Sequence, residues 1–256
     1  MRRFFVSPER LREESLDLDG ELLRHLTVLR LQAGDEVLLL DGTGCVCRCH
    51  IEFLNRKDGR ARCLERWREE DTALPVHLLQ GVPKGDKMDV VLQKGVELGV
   101  SRLTPVICRR SVTRNAGSVR RQERWQRIVN EAARQSRRPV LPNLDPPLPL
   151  PDAMNRCDAD LRLLLWEEGS SPLQDVLPTE RPASVAILVG PEGGLATEEA
   201  QLAIGHGFKP VRLGPRILRT ETAALAVASV LQYLYGDWAE IPQDPDDGVR
   251  ASESPD

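Results

Sequence analysis

From Pro75 onward, short apolar runs alternate with helical patterns, and few folds accommodate that alternation. Strands are expected at 76–82, 103–108, 161–166, 184–189 and 211–214. Between them, 3.6-residue spacing predicts helices at 86–99, 120–135, 197–205 and 220–235, the first capped by Asp86. Such a succession builds an α/β domain around a mainly parallel sheet. The first 70 residues read differently. Residues 36–40 end in Asp41-Gly42, residues 45–53 alternate as a strand, and a polar turn leads to a third strand at 60–64. Short strands on tight turns point to a small barrel. The expected organisation is therefore a β-rich domain over 1–70 and an α/β domain over 73–237. A tail at 241–256 carries acids and prolines without periodicity and is expected to be disordered. The stretch 143–151 holds four prolines and is expected to be a loop.

Composition narrows the class. Apolar residues are 41% and charged residues 29% of the 256, which fits a soluble globular chain. No run approaches the ~20 apolar residues of a membrane helix. No signal-peptide core follows the first residues, so a cytoplasmic location is expected. Cys45, Cys47 and Cys49 alternate and share one strand face. Buried small apolar side chains explain them, and the spacing is not that of a metal site, so no metal is expected.

A formal net charge of −4 hides an asymmetry. Residues 109–138 carry ten Arg against two acids, while 237–256 carry seven acids against one Arg. A basic patch of this kind suits a phosphate backbone. On the helix at 120–135, Arg120, Arg124, Arg127 and Arg134 fall on one stripe. They are read as an RNA-binding surface, a solvated face being the alternative.

Two glycine-bearing loops carry the chemistry. Val189-Gly190-Pro191-Glu192-Gly193-Gly194 leaves a strand and precedes a helix, where ligands bind in open α/β sheets. It matches neither the Walker nor the dinucleotide fingerprint. The second, Arg212-Leu213-Gly214-Pro215-Arg216-Ile217-Leu218-Arg219-Thr220-Glu221, also joins a strand to a helix. Thr220 and Glu221 suit either helix capping or a site. Arg216 and Arg219 suit an anionic substrate.

These loops, with Arg3-Phe4-Phe5, Gly81-Val82-Pro83-Lys84-Gly85-Asp86-Lys87-Met88, Gln93-Lys94-Gly95-Val96-Glu97-Leu98-Gly99-Val100 and Gln135-Ser136-Arg137-Arg138, resemble the SPOUT class of knotted S-adenosylmethionine methyltransferases. Within that class they resemble the bacterial family that methylates N3 of a uridine in 16S (small-subunit) ribosomal RNA. One departure is the apolar Pro139-Val140-Leu141-Pro142, where the family is more polar.

The resemblance implies an N-terminal PUA-like β-barrel, then a SPOUT α/β domain with a deep C-terminal trefoil knot, in a homodimer with active sites near the interface. It implies S-adenosyl-L-methionine as donor, held by Leu165, Leu188, Gly190, Pro191, Glu192, Gly193, Gly194, Leu213, Gly214, Ile217, Leu218 and Thr220. The substrate would be 16S ribosomal RNA, free or within the small subunit. Besides the arginine stripe, Arg3, Lys84 and Arg137 would contact it. Arg219, Glu221 and Arg138 are the catalytic candidates, with Glu97 and Lys84 behind them. Two rival readings remain at this stage. One is a non-catalytic RNA-binding assembly factor; the other is a SPOUT enzyme acting on another base or on ribose.

Overall fold

The computed structural model describes residues 1–72, 74–111, 117–168 and 170–238. The tail at 241–256 lies outside the described residues. The N-terminal sheet is made of β1 (Arg2–Phe5), β2 (Ser15–Asp17), β3 (Glu36–Leu40), β4 (Cys45–Leu54) and β5 (Gly59–Arg68), with helix α1 (Gly20–Val28). The order is β1-β3-β4-β5-β2. β3, β4 and β5 form an antiparallel meander, and β1 adds parallel to β3. On β4 the alternation falls as expected: Cys47, Cys49 and Ile51 are fully buried. They pack with Phe4, Leu16, Leu18, Leu22 and Leu26 in one core. The charged stretch at 66–72 begins inside β5. Helix α1, whose Leu22, Leu23 and Leu26 are buried, was not anticipated. Nor was a bond between Cys47 and Cys63, because Cys63 meets β4 only through cross-strand register.

The second sheet begins with β6 (Val76–Gly81), α2 (Lys87–Glu97), β7 (Val100–Ile107) and α3 (Val119–Gln135). Then come β8 (Asn143–Leu144), β9 (Leu148–Pro149), α4 (Leu150–Asn155), β10 (Leu161–Leu165), β11 (Ser171–Pro172) and α5 (Leu173–Val176). It closes with β12 (Val185–Val189), α6 (Thr197–Gly205), β13 (Lys209–Arg212) and α7 (Thr220–Tyr235). The order is β11-β13-β10-β12-β6-β7-β8, with β9 also on β7. Every pair is parallel. Every residue of β6 and β12 is buried, as strands covered on both faces must be. On one side α2, α3 and α7 pack through Met88, Val91, Trp125, Val129, Val227 and Leu231. On the other, α4 and α6 pack through Met154, Ala200 and Ala203, with Phe208 just beyond α6. The segment 143–151, expected as a loop, supplies β8, β9 and the start of α4. Pro146 and Pro147 lie in the loop between β8 and β9, while Pro149 sits in β9 and Pro151 in the first turn of α4, where a missing N–H is tolerated.

The two sheets meet at named contacts. Arg3 pairs with Glu69 at 3.0 Å and donates to the Arg137 carbonyl. Leu141 N donates to the Gly42 carbonyl, and Thr43 bridges to Val140. The apolar Pro139-Val140-Leu141-Pro142 is thus packed against the turn between β3 and β4, which explains its departure from a polar sequence. Arg138 is 7% exposed, donates to the carbonyls of Val96 and Val100, and is ion-paired with Asp71. Among the described residues no helix is long and apolar enough to cross a membrane.

Candidate active site

Strands β10, β12 and β13 end side by side, and the three loops that follow them converge. Leu165 to Glu168 leave β10, Gly190 to Leu195 leave β12, and Leu213 to Arg219 leave β13; together they line a cleft of about 960 Å³. That size falls within the roughly 300–1,000 Å³ of small-molecule sites. Val189, Leu195, Val211 and Ala223 add apolar floor, and Lys87 and Arg110 reach it from elsewhere in the fold.

Close backbone packing shapes the second loop. A side chain at Gly81, at the end of β6, would place Cβ only 2.6 Å from Pro191 N. Gly194 N donates to the Pro191 carbonyl at 2.8 Å, closing a turn. In the third loop, Gly214 takes φ +84°, a conformation that glycine adopts without steric cost. A polar clasp joins second and third loops. Thr220 Oγ1 donates to the Gly190 carbonyl at 2.6 Å and accepts from Gln80 Nε2 at 2.8 Å. Thr220 is therefore not the helix cap. Arg219 occupies that position, with no side-chain capping bond, and the Thr220 hydroxyl is committed to holding α7 against β12.

Charge is arranged in two groups. Lys87 Nζ lies 2.9 Å from Glu192 Oε1 and 3.9 Å from Glu221 Oε2. Glu192 also accepts from Lys84 N. Burial would raise the Glu192 carboxyl, but the bonds from Lys87 and the backbone overcome it and hold the group below the usual carboxylate range. Glu221 Oε2 is buried without a hydrogen bond and faces Lys87 from outside the cleft lining. The second group is cationic. Arg110 donates to the Gly193 carbonyl at 2.8 Å. Arg216 and Arg219 are exposed on the cleft wall, and among the described residues neither has an ion-pair partner.

Most residues expected to bind the donor come together here: Leu165, Gly190, Pro191, Glu192, Gly193, Gly194, Leu213, Gly214, Ile217, Leu218 and Thr220 all line the cleft. Leu188 does not; on β12 its side chain points into the opposite core, because neighbouring strand residues face opposite sides. Arg138 is corrected as a catalytic candidate, since its guanidinium is spent on Asp71 and two carbonyls away from the cleft. Glu97 forms a helix-surface pair with Lys94. Lys84 meets the site through its backbone, its side chain being exposed. Asp86 stands at the start of α2 but turns its carboxylate to Arg124 rather than capping.

The RNA-facing expectations divide. Arg3 is tied to Glu69, Arg124 to Asp86 and Asp89, and Arg134 to Glu131. Arg120, Arg127 and Arg137 are exposed, and none has a carboxylate partner among the described residues. Lys87 and Arg110 were missed as site residues. Lys87 lies within a quoted motif, but Arg110 sits beyond β7, and nothing local in the sequence aims it at Gly193.

Parallel strands ending in glycine-bearing loops, with a helix clasped to them and exposed arginines on the wall, define a small-molecule site at the strand ends of an open α/β sheet. The chain matches the RNA methyltransferase domain family over residues 70–232 and the RNA methyltransferase PUA domain family over 18–62. The ribosomal RNA small subunit methyltransferase E of Synechocystis is 37% identical over 235 residues, 89% of this chain and 76% of that protein. The Bacillus subtilis protein of that name is 32% identical, covering 91% and 96%. The crystal structure of the Neisseria gonorrhoeae enzyme bound to S-adenosyl methionine superposes with a TM-score of 0.84 at 35% identity, covering 93% and 100%. The chain belongs to the ribosomal RNA small subunit methyltransferase E family.

Proposed function

We propose that this chain transfers a methyl group from S-adenosyl-L-methionine to N3 of a uridine in 16S ribosomal RNA. The observation that carries the proposal is the three-loop cleft, with tightly packed backbone on one wall and the exposed Arg216 and Arg219 on another. Its volume accommodates a nucleoside-sized donor beside a base. When bound, the donor supplies an activated methyl group on its sulfonium.

What the protein must add follows from the substrate. A uracil N3–H has an acidity near that of a phenol, about 10, so its anion near pH 7 costs about 4 kcal/mol. Arg219 stabilises that imide anion, because its guanidinium stands free at the mouth of the cleft. Glu221 acts through Lys87, which it holds together with Glu192. Backbone of the loops at Gly190–Gly194 and Leu213–Leu218 holds the adenosine moiety. N3 lies on the pairing edge, so the target base is unpaired or flipped out.

The remaining architecture follows the same reading. Residues 1–70 form a PUA-like barrel that binds RNA, and 73–237 form the SPOUT domain. The chain from β10 to β13 and back through α7 onto α2 and β6 forms the trefoil knot, a support being the contact of α7 with both β6 and β12. Homodimerisation covers the α7 face that exposes Val230, Tyr233 and Leu234, where Val230 and Leu234 share a pocket with Leu213 and Gly214. The protein works in the cytoplasm, where small ribosomal subunits are its substrate source.

Nucleoside mass spectrometry of 16S RNA from a deletion strain, restored with wild type or Arg219→Ala, tests this. Loss of 3-methyluridine on deletion, recovered with wild type only, is the expected result. A different missing nucleoside would assign another base or ribose; unchanged RNA with no donor binding would leave a non-catalytic RNA-binding factor.

A further inference from the structure

Three sulfurs converge inside the N-terminal sheet, a different sheet from the one that bears the cleft. Cys47 and Cys49 share one face of β4 and are fully buried. In an unbroken ladder, residue 64 would oppose Cys49, and Cys63 would oppose His50 and point the other way. A register shift between Arg48 and Cys49 removes that mismatch: Arg48 pairs with Glu65 and Cys49 with Cys63. Leu64 is the extra, bulged residue. The bulge turns Cys63 to the cysteine face, and the three Sγ atoms lie within 4.8 Å of one another. Cys47 and Cys63 are bonded, with Cα atoms 6.2 Å apart, and Cys49 Sγ stands 3.5 Å from Cys47 Sγ.

A plain staple needs two cysteines. Here a third thiol waits beside the bond, and the accessibility is unequal. Cys63 is half-buried while both potential partners are sealed in the core. We propose that Cys47, Cys49 and Cys63 form a reversible thiol–disulfide modification site, oxidised by a peroxide and reduced by small thiols, in which Cys63 meets the reagent and either buried cysteine serves as its partner.

In the oxidising direction the Cys63 sulfur attacks a peroxide oxygen. The O–O bond breaks, the leaving oxygen takes a proton, and Cys63 becomes a sulfenic acid. The Cys47 sulfur then displaces the hydroxyl as water and forms the S–S bond. Two thiols lose two electrons and the peroxide gains them. In the reducing direction a small thiol attacks Cys63 Sγ, Cys47 leaves and is protonated, and a second thiol clears the mixed disulfide. Burial pushes the Cys49 thiol up to about 11, against a smaller opposing effect of Arg66. At neutral pH Cys49 is thus a protonated reserve, engaged when Cys47 is missing. The bond ties β4 to β5, the two longest strands of the sheet.

Peptide mapping of the full chain tests this cleanly. Trypsin cuts after Arg48 and Arg62, so Cys47, Cys49 and Cys63 fall in three different peptides. The protein is reduced with dithiothreitol, desalted, exposed to hydrogen peroxide, then denatured and alkylated. The expected wild-type product is the Cys47–Cys63 linked pair, lost again on dithiothreitol treatment. Cys47→Ser should give the Cys49–Cys63 pair, Cys49→Ser should keep the wild-type pair, and Cys63→Ser should give neither. Circular dichroism confirms that each variant is folded. All three cysteines alkylated after peroxide would overturn the proposal, as would sulfinic acid at Cys63 of Cys47→Ser in place of the link. Retention of zinc by the reduced protein with the three sulfurs protected from peroxide would also overturn it, making the cluster a metal centre.

Discussion

In the N-terminal sheet, Arg48, Arg60 and Arg62 each lie against a carboxylate, Glu36 and Glu65, Asp17, and Glu52 respectively. In the cleft, Arg216 and Arg219 stand exposed with no such partner among the described residues. Both regions are arginine-bearing, but the two arginines of the second line a cleft. Helix α3 contains the same contrast along a single stripe. Arg124 and Arg134 are paired with acids, and Arg120 and Arg127 have no carboxylate partner among the described residues. A count of basic residues overstates the charge that RNA can meet, because pairing is settled by neighbours in space. Polar groups that find partners inside the fold stabilise it; those left without partners at a cleft are available to ligands.

The largest expected effect tests the unpaired side. Arg219→Ala should slow single-turnover methylation by about 100- to 1,000-fold, the usual cost of losing one transition-state electrostatic contact. Donor affinity, read by calorimetry, should stay within a few fold. A near-wild-type rate would remove Arg219 from the chemistry and shift attention to Arg216 and Arg110.

The paired side should respond in the opposite sense. Arg138→Met leaves the part-buried Asp71 and the carbonyls of Val96 and Val100 without their donor, and breaking such a pair should cost about 3 kcal/mol of stability, the low end for buried pairs. Urea unfolding should show that loss, while the rate per folded molecule at 25 °C stays unchanged. A stable but slow variant would return Arg138 to the mechanism.

A buried histidine supplies a pH test of the same contrast. His77 Nε2 meets Thr104 Oγ1 at 2.8 Å, and that hydroxyl donates onward to Asp145, so Nε2 is the donor. Burial, aided by the Arg102 charge and opposed by Asp145 and Asp158, lowers the His77 pKa to about 4 from 6.5. The unfolded chain therefore binds the proton first as pH falls, and stability present above pH 6.5 declines toward pH 4. Between pH 7 and pH 5 the loss should be about 2 kcal/mol. His77→Gln should be less pH-sensitive over that interval, whatever its absolute stability; an identical pH slope would show that other groups set it.

The smallest effect divides the α3 stripe. Arg120 and Arg127 changed together to Gln should lower the slope of log RNA affinity on log salt by about 2, one per phosphate contact. The same change at Arg124 and Arg134 should move the slope little, since their charges are already met by acids. Equal slopes for the two double variants would mean that the ion pairs open when RNA binds.

Local pattern reaches a long way in this chain. The alternation of apolar runs with 3.6-residue spacing placed α6 and α7 at their observed bounds and located the other main elements of the α/β domain to within a few residues. Glycine after a strand marked the loops that line the cleft, because close approach and positive φ leave a visible sequence signature. Periodicity along β4 assigned its buried face correctly. These are short-range consequences of backbone geometry and burial, and adjacent residues suffice to express them.

Tertiary structure decided what depends on distant partners. Thr220 has the composition of a helix cap, yet its hydroxyl is taken by Gly190 and Gln80. Arg138 has the look of a catalytic cation and is consumed by Asp71 and two carbonyls. Arg110 enters the cleft from β7, and Cys63 joins Cys47 only through a bulge at Leu64. In each case the outcome is set by which groups separated by tens of residues become neighbours, and a hydrogen bond or ion pair has no signature in the local sequence of either partner.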